Sequence, residues 1–179
     1  SKEAAATRQS ISTITDNARF LFDFMARDLR MGGRGYDSDV WKAAWPEDSK
    51  TAPLPIEMDD GVLVVRYLDQ NNDPVEVRYQ RDNNEVEYQG EVDGQFEPLI
   101  GGVDALDFNF ACFNCDGDNT TDDYGYSNSP AEWGNVTAVE ITVRFIDEDP
   151  WGGQDQAIDA KQISSTVALR NQVSRLITP

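Results

Sequence analysis

Along residues 4 to 31 apolar side chains recur at three- and four-residue steps. Ile11, Ile14, Ala18, Leu21 or Phe22, Met25 and Leu29 therefore fall on one face of an α-helix. The opposite face carries Arg19, Asp23 and Arg27 at four-residue spacings, where each carboxylate can meet a guanidinium for a few tenths of a kcal/mol. Gly32, Gly33 and Gly35 end the helix. Phe20 and Phe24 lie off the main stripe, so the apolar surface is wider than one contact needs. That width predicts either a thick core or a helix with a second packing partner.

The period then changes. Residues 38 to 60 read as irregular, with Trp41, Trp45, Pro46, Pro53 and Pro55 breaking any repeat. "VLVVRYL" (62 to 68), "VEVRYQ" (75 to 80) and "EVEYQ" (85 to 89) read as a meander of antiparallel strands divided by the turns "DQNNDP" and "RDNN". Val75, Val77 and Tyr79 point to one side and Glu76, Arg78 and Gln80 to the other, as on a half-solvated sheet. Further strands are predicted at 103 to 110, at 136 to 146 and at about 161 to 170. No internal repeat is present. The expected architecture is α+β, one long N-terminal helix laid on antiparallel sheet, in a single domain over 1–179 with its helix at about 4–31 and its β region at about 61–174.

Charge narrows the partners. Asp and Glu number 33 against 15 Lys and Arg, with no His, for a net charge of −18. Nucleic acid and anionic membrane surfaces attract basic patches, so both are disfavoured. No run of about 18 apolar residues exists, so these residues hold neither a membrane-spanning helix nor a complete signal peptide. The lack of His removes Ser-His-Asp, Cys-His and His-metal sites, and no phosphate-cradling glycine loop follows a strand and opens a helix. Catalysis is not expected.

Two motifs carry chemistry. Cys112 and Cys115 stand as "CFNC". Two cysteines without His cannot complete a zinc site of about four ligands. A thioredoxin-like motif opens a helix, whereas this one ends a β-like run. A local disulfide in an oxidising compartment fits better, stabilising by roughly 2 kcal/mol, with a turn expected at Phe113 and Asn114. The loop "DGDNTTDD" follows, where Asp116, Asp118, Thr120 and Asp122 alternate beside Asp123. Such a run is either a solvated acidic loop or a calcium site; Thr121 and Ser127, where an EF-hand needs glycine and glutamate, exclude the EF-hand. Asn119 and Asn135 match the N-x-[ST] pattern.

"NARFLFDFMARDLRMGGRGYD" (17 to 37) resembles the segment that follows the membrane-embedded half of the N-terminal helix in PilW-type minor pilins of type IV pili, which are similar to J-type minor pseudopilins of type II secretion. "DDGVLVVRYLD" (59 to 69) resembles the family's first strand, "EPLIGGVDALDFNF" (97 to 110) its middle strand and "SSTVALRNQVS" (164 to 174) its C-terminal strand. The resemblance implies a pilin-like fold. It also implies a longer protein with a leader cleaved by a prepilin peptidase and an apolar half-helix anchoring it in the inner membrane, with its soluble part in the periplasm or on an extracellular pilus of a Gram-negative bacterium. The other minor pilins and the major pilin are the implied partners, met through Ile11, Ile14, Ala18, Phe20, Phe22, Phe24, Met25 and Leu29 of the helix. Two function classes follow: a structural subunit of a pilus or secretion pseudopilus, and a tip-exposed adhesion module that uses the 111 to 135 loop and calcium.

The calcium expectation has a direct check. Four carboxylates in one short loop repel one another, and a weak extracellular site would bind at about 10⁻⁴ to 10⁻³ M. Melting temperature is then expected to rise with millimolar Ca²⁺, more than with Mg²⁺, and the rise is expected to vanish in Asp118→Asn. Equal melting with calcium, magnesium and chelator leaves a solvated turn.

Overall fold

The computed structural model describes residues 2–45, 53–91, 94–113, 115, 124–146 and 161–177. Helix α1 (Lys2–Met31) and the short α2 (Asp39–Ala44) come first. A five-stranded antiparallel sheet follows, built in chain order from β1 (Ile56–Asp59), β2 (Val62–Leu68), β3 (Pro74–Asp82), β4 (Glu85–Gln89) and β5 (Glu97–Gly101). A second, four-stranded sheet has the order β7-β6-β8-β9, from β6 (Val103–Phe113), β7 (Tyr124–Ser127), β8 (Val136–Phe145) and β9 (Gln162–Ala168). Helix α3 (Arg170–Ile177) completes the described chain.

Turn chemistry sets the first sheet's registers. Asp59 pairs with Val62 and Asp82 with Glu85, so β1–β2 and β3–β4 are each joined by two residues. Those residues, Asp60–Gly61 and Asn83–Asn84, all have positive φ, the backbone that tight hairpins require and that Gly, Asn and Asp tolerate best. Between β2 and β3 the Asp69 carboxylate accepts from the amides of Asn71 (2.7 Å) and Asp73 (2.9 Å).

The expectation of a pilin-like α+β fold, a single long helix laid on antiparallel sheet, is corrected here. Two separate sheets carry the described chain together with three helices, and α1 does not form a layer of its own. Ala18, Leu21, Met25 and Leu29 of α1 enter one apolar cluster with Leu63, Val65, Val77 and Tyr79 of the first sheet and with Phe110, Val139, Ile141 and Val167 of the second. Each large member buried there contributes roughly 1.5–3 kcal/mol of transfer free energy.

The cause of the division is local. The resemblance makes "EPLIGGVDALDFNF" one middle strand, but it is two, β5 and β6, in different sheets. Gly102 between them has φ of 71°, a conformation that breaks a strand and redirects the chain. Its carbonyl accepts from the Ile146 amide (2.8 Å), and the Val103 amide reaches the Asn84 carbonyl (2.9 Å), which fixes the crossing at both ends.

Three further expectations change. The segment 38 to 60 holds two regular elements, α2 and β1. Ser38 caps α2 by accepting from the Trp41 amide (3.0 Å), and the fully buried Trp41 donates from Nε1 to the Pro53 carbonyl (3.1 Å). The β region ends at Ala168, not at 174, because α3 follows. Glu76 is not on a solvated face: it is 8 % exposed, held by Arg66 (2.6 Å) and Arg78 (2.9 Å), while Arg66 also reaches Glu57 (2.8 Å) and the Leu54 carbonyl (3.0 Å). Burial alone would raise the Glu76 pKa, but the hydrogen bonds and charges of Arg66 and then Arg78 bring it below the usual glutamate value.

Helix α3 explains why "VALRN" sits where it does. A helix ends with carbonyls that have no intrahelical partner. The Asn171 side-chain amide lies 3.1, 3.3 and 3.4 Å from the carbonyls of Arg30, Met31 and Gly32 at the end of α1. The next residue, Gln172, is fully buried and donates to the Gly134 carbonyl (3.3 Å). Just beyond the helix, the Gly33 amide donates to the Arg66 carbonyl (3.0 Å) and the Leu68 amide to the Arg34 carbonyl (3.0 Å). Asn171→Ala removes the amide that meets the α1 carbonyls and is expected to lower unfolding free energy by about 1 kcal/mol in urea, with an unchanged denaturant slope. A loss below a few tenths would show that water replaces the cap.

Candidate assembly face

The residues expected to form the assembly surface do not act together. Ala18 (2 % exposed), Met25 and Leu29 (both 0 %) face the core, so they hold the helix and are corrected as contact residues. Ile14, Phe22 and Phe24 are half-buried against that core. Ile11 (41 %) and Phe20 (49 %) are exposed. A helix has one spacing for core contacts, and Phe20 falls about half a turn from Ala18 and Leu29, which turns it outward.

Between these two sides runs an aromatic and charged seam. Phe20 and Phe24 have ring centroids 5.9 Å apart, and Phe24 meets the edges of Tyr88 (5.0 Å) and Tyr79 (6.4 Å) on the first sheet. The Arg27 guanidinium sits 4.7 Å over the Phe24 ring and 3.5 Å from Asp28. Among the described residues neither rung of the expected Arg19–Asp23–Arg27 ladder forms an ion pair, and Arg27 pairs with its sequence neighbour Asp28.

Asp28 was not legible as a site, yet it organises the seam. It is 2 % exposed on the buried stripe, three residues after Met25. An ionised carboxylate without water needs partners, and two phenols supply them. Tyr79 Oη of β3 donates to Asp28 Oδ2 at 2.5 Å, and Tyr67 Oη of β2 to Oδ1 at 3.4 Å. Burial, and then the Asp28 charge, push the Tyr67 hydroxyl up to about 12 and hold the Tyr79 hydroxyl far above the usual phenol value. Tyr88 is raised by the same two causes in the same order, and Asp28 raises Arg27. Tyr67 and Tyr79 therefore stay protonated at neutral pH and act as donors. The signal in the sequence was a carboxylate at a core position of the helix, with Tyr at 67 and 79 in strands.

The other candidate residues divide in two. Cys112 and Cys115 are joined as a disulfide with Cα atoms 5.5 Å apart. Phe113 remains in β6, paired with Tyr124, so the strand runs through the residue expected to begin the turn. Asp116, Asp118, Thr120, Asp122 and Asp123, with Asn119, lie outside the described residues. Asn135 donates from its side chain to Glu132 (2.6 Å). Among the described residues no group of three His, Cys, Asp or Glu side chains is placed to hold a metal ion, and no helix is long and apolar enough to cross a membrane.

Comparison of the chain with models of protein families and with curated proteins finds no match.

The seam predicts an alkaline transition. The folded values of Tyr67 and Tyr79 lie above 10.0, so the stability they supply is complete below that pH and is lost as pH rises through 10 toward about 12. Melting temperature is expected to fall over that window. Tyr79→Phe strips a donor from a buried carboxylate and is expected to cost about 1.5–3 kcal/mol at pH 7, with a shallower alkaline fall. An equally steep fall in the variant would remove Tyr79 from the transition.

Proposed function

We propose that this chain is a structural minor pilin subunit, helping to initiate or cap a type IV pilus through contacts made by α1. The observation that carries the reading is the two-sidedness of that helix: Met25, Leu29 and Asp28 are locked against the sheets while Phe20 and Ile11 are left to solvent. A second support is the residue-level resemblance over 17–37 and at "VALRN", where Asn171 meets the end of the same helix. The reading rests on the helix face and not on the arrangement of the sheets.

On this reading the full-length protein is anchored in the inner membrane by an apolar segment preceding α1. Its soluble part occupies the periplasm before the subunit enters the extracellular filament. Its partners are the other minor pilins and the major pilin, which would cover Phe20 and Ile11 by helix packing. Covering an exposed phenylalanine and isoleucine removes apolar area from water, which favours association. No substrate is turned over.

Deletion of the gene is expected to lower the number of surface filaments, with recovery on complementation by the parent. Complementation with Phe20→Arg is expected to fail, although the purified variant loses only about 1 kcal/mol, the scale of its ring contact with Phe24. Pull-down with the other minor pilins separates assembly from misfolding: Phe20→Arg should be lost from the complex while staying soluble. Full filament numbers in the deletion strain would overturn the proposal.

A further inference from the structure

The second sheet has an outer face that the assembly reading does not use. On β6 the side chains of Asp107, Asn109 and Phe113 are exposed while Phe108, Phe110 and Cys112 are buried, so the first three lie on the outer face, in one row with Ala111, which is covered. Tyr124 pairs with Phe113 and Tyr126 with Ala111, which puts both tyrosines on that same side. Phe113 (46 %), Tyr124 (51 %) and Tyr126 (54 %) are three of the most exposed large apolar residues described. They form one patch: the Phe113 and Tyr124 rings are 5.1 Å apart and edge-on, and the Tyr124 hydroxyl is fixed 3.1 Å from Thr137 Oγ1. The Tyr126 hydroxyl has no partner among the described residues.

Charge on this face has one sign in excess. Glu140, cross-strand from Asn109 and 3.4 Å from its amide, stands one row along the face from the Ala111–Tyr126 pair, and the exposed Asp107 lies farther along β6. Arg144, farther along β8, is already paired with Asp104 at 2.7 Å. On α1 the chain answers an aromatic ring with its own guanidinium, Arg27 over Phe24. Among the described residues no cation stands over Phe113, Tyr124 or Tyr126.

We propose that the outer face of the second sheet, centred on Phe113, Tyr124 and Tyr126, is a docking site for an arginine- or lysine-rich segment of a partner protein. Aromatic faces carry negative quadrupole density and attract guanidinium and ammonium groups, most strongly where carboxylates stand nearby. A chain of net charge −18 also draws a basic segment in by long-range steering. The same charge repels anionic partners. The site is independent of Phe20 and Ile11, so it can be occupied in a subunit whose α1 is packed.

Bare electrostatics would also attract a basic peptide, so the test must remove aromatic rings at constant charge. Binding of fluorescent hexa-arginine to the 179-residue chain is measured by anisotropy at 150 mM NaCl, with hexa-glutamate as control. Tyr126→Ala is expected to weaken binding about 5-fold, and Phe113→Leu with Tyr126→Leu, which keeps apolar bulk, by about 10-fold or more. Circular dichroism confirms that each variant is folded. Unchanged affinity in the leucine pair would show diffuse attraction to the acidic chain and overturn the proposal. So would ring-dependent binding of maltohexaose without binding of hexa-arginine, which names a neutral glycan as occupant. Ring-dependent self-association in sedimentation, unaffected by hexa-arginine, would name a second copy and overturn it equally.

Discussion

A carboxylate withdrawn from water must be paired, and Asp28 meets that condition in a way that orients the first helix. Its partners come from two strands, Tyr67 on β2 and Tyr79 on β3, and from Arg27 on its own helix. Turning α1 about its axis by one residue would move Asp28 away from both phenols and leave a buried charge, at a cost of several kcal/mol. Apolar contacts alone would tolerate such a rotation far better, because they are not directional. The interaction therefore decides which side of α1 is core and which is presented. The exposure of Phe20 and Ile11 is a consequence of that choice.

The end of the helix is held by a different device. Gly33 and Gly35 adopt positive φ, and a Cβ at Gly35 would come within 2.6 Å of Leu68 Cδ1. Two backbone hydrogen bonds then run from this turn to β2, and Asn171 closes the helix from the opposite end of the sequence. The end of α1 and the start of α3, separated by the whole β region, thus meet at one junction. The Arg66–Glu76 pair lies behind it, and Arg66 supplies both a side chain to the charge network and a carbonyl to Gly33. Helix position, turn and first sheet are consequently coupled.

Beside this coupled core the two proposals assign the protein two exposed surfaces. One is the outer side of α1, apolar and small, suited to packing against another helix. The other is the outer face of the second sheet, aromatic and acidic, suited to a basic partner. They belong to different elements and share no residue. On the proposed reading, one surface meets neighbouring subunits while the other remains open to a further protein.

Much of the local structure was legible in the residues. The three- and four-residue spacing from Ile11 to Leu29 marked α1, and period-two or β-rich runs marked β2, β3, β4, β6 and β8, because burial imposes such patterns directly. The "NN" turn and the closeness of Cys112 and Cys115 were equally local. What the residues could not reveal was which strands would share a sheet. "LIGGVD" is apolar on both sides of its glycines, and only the left-handed backbone at Gly102, held by the Ile146 amide on its own carbonyl and by the Val103 amide on the Asn84 carbonyl, parts β5 from β6. Asp28 sits at a core position of the helix, but its phenol partners stand 39 and 51 residues away, so its role was not legible locally. Asn171 looked like the end of a strand, since the carbonyls it meets are about 140 residues earlier. Periodicity reports what each segment must bury; the pairing of a buried charge, a helix end or a sheet edge depends on groups distant in the chain, and only the folded molecule brings them together.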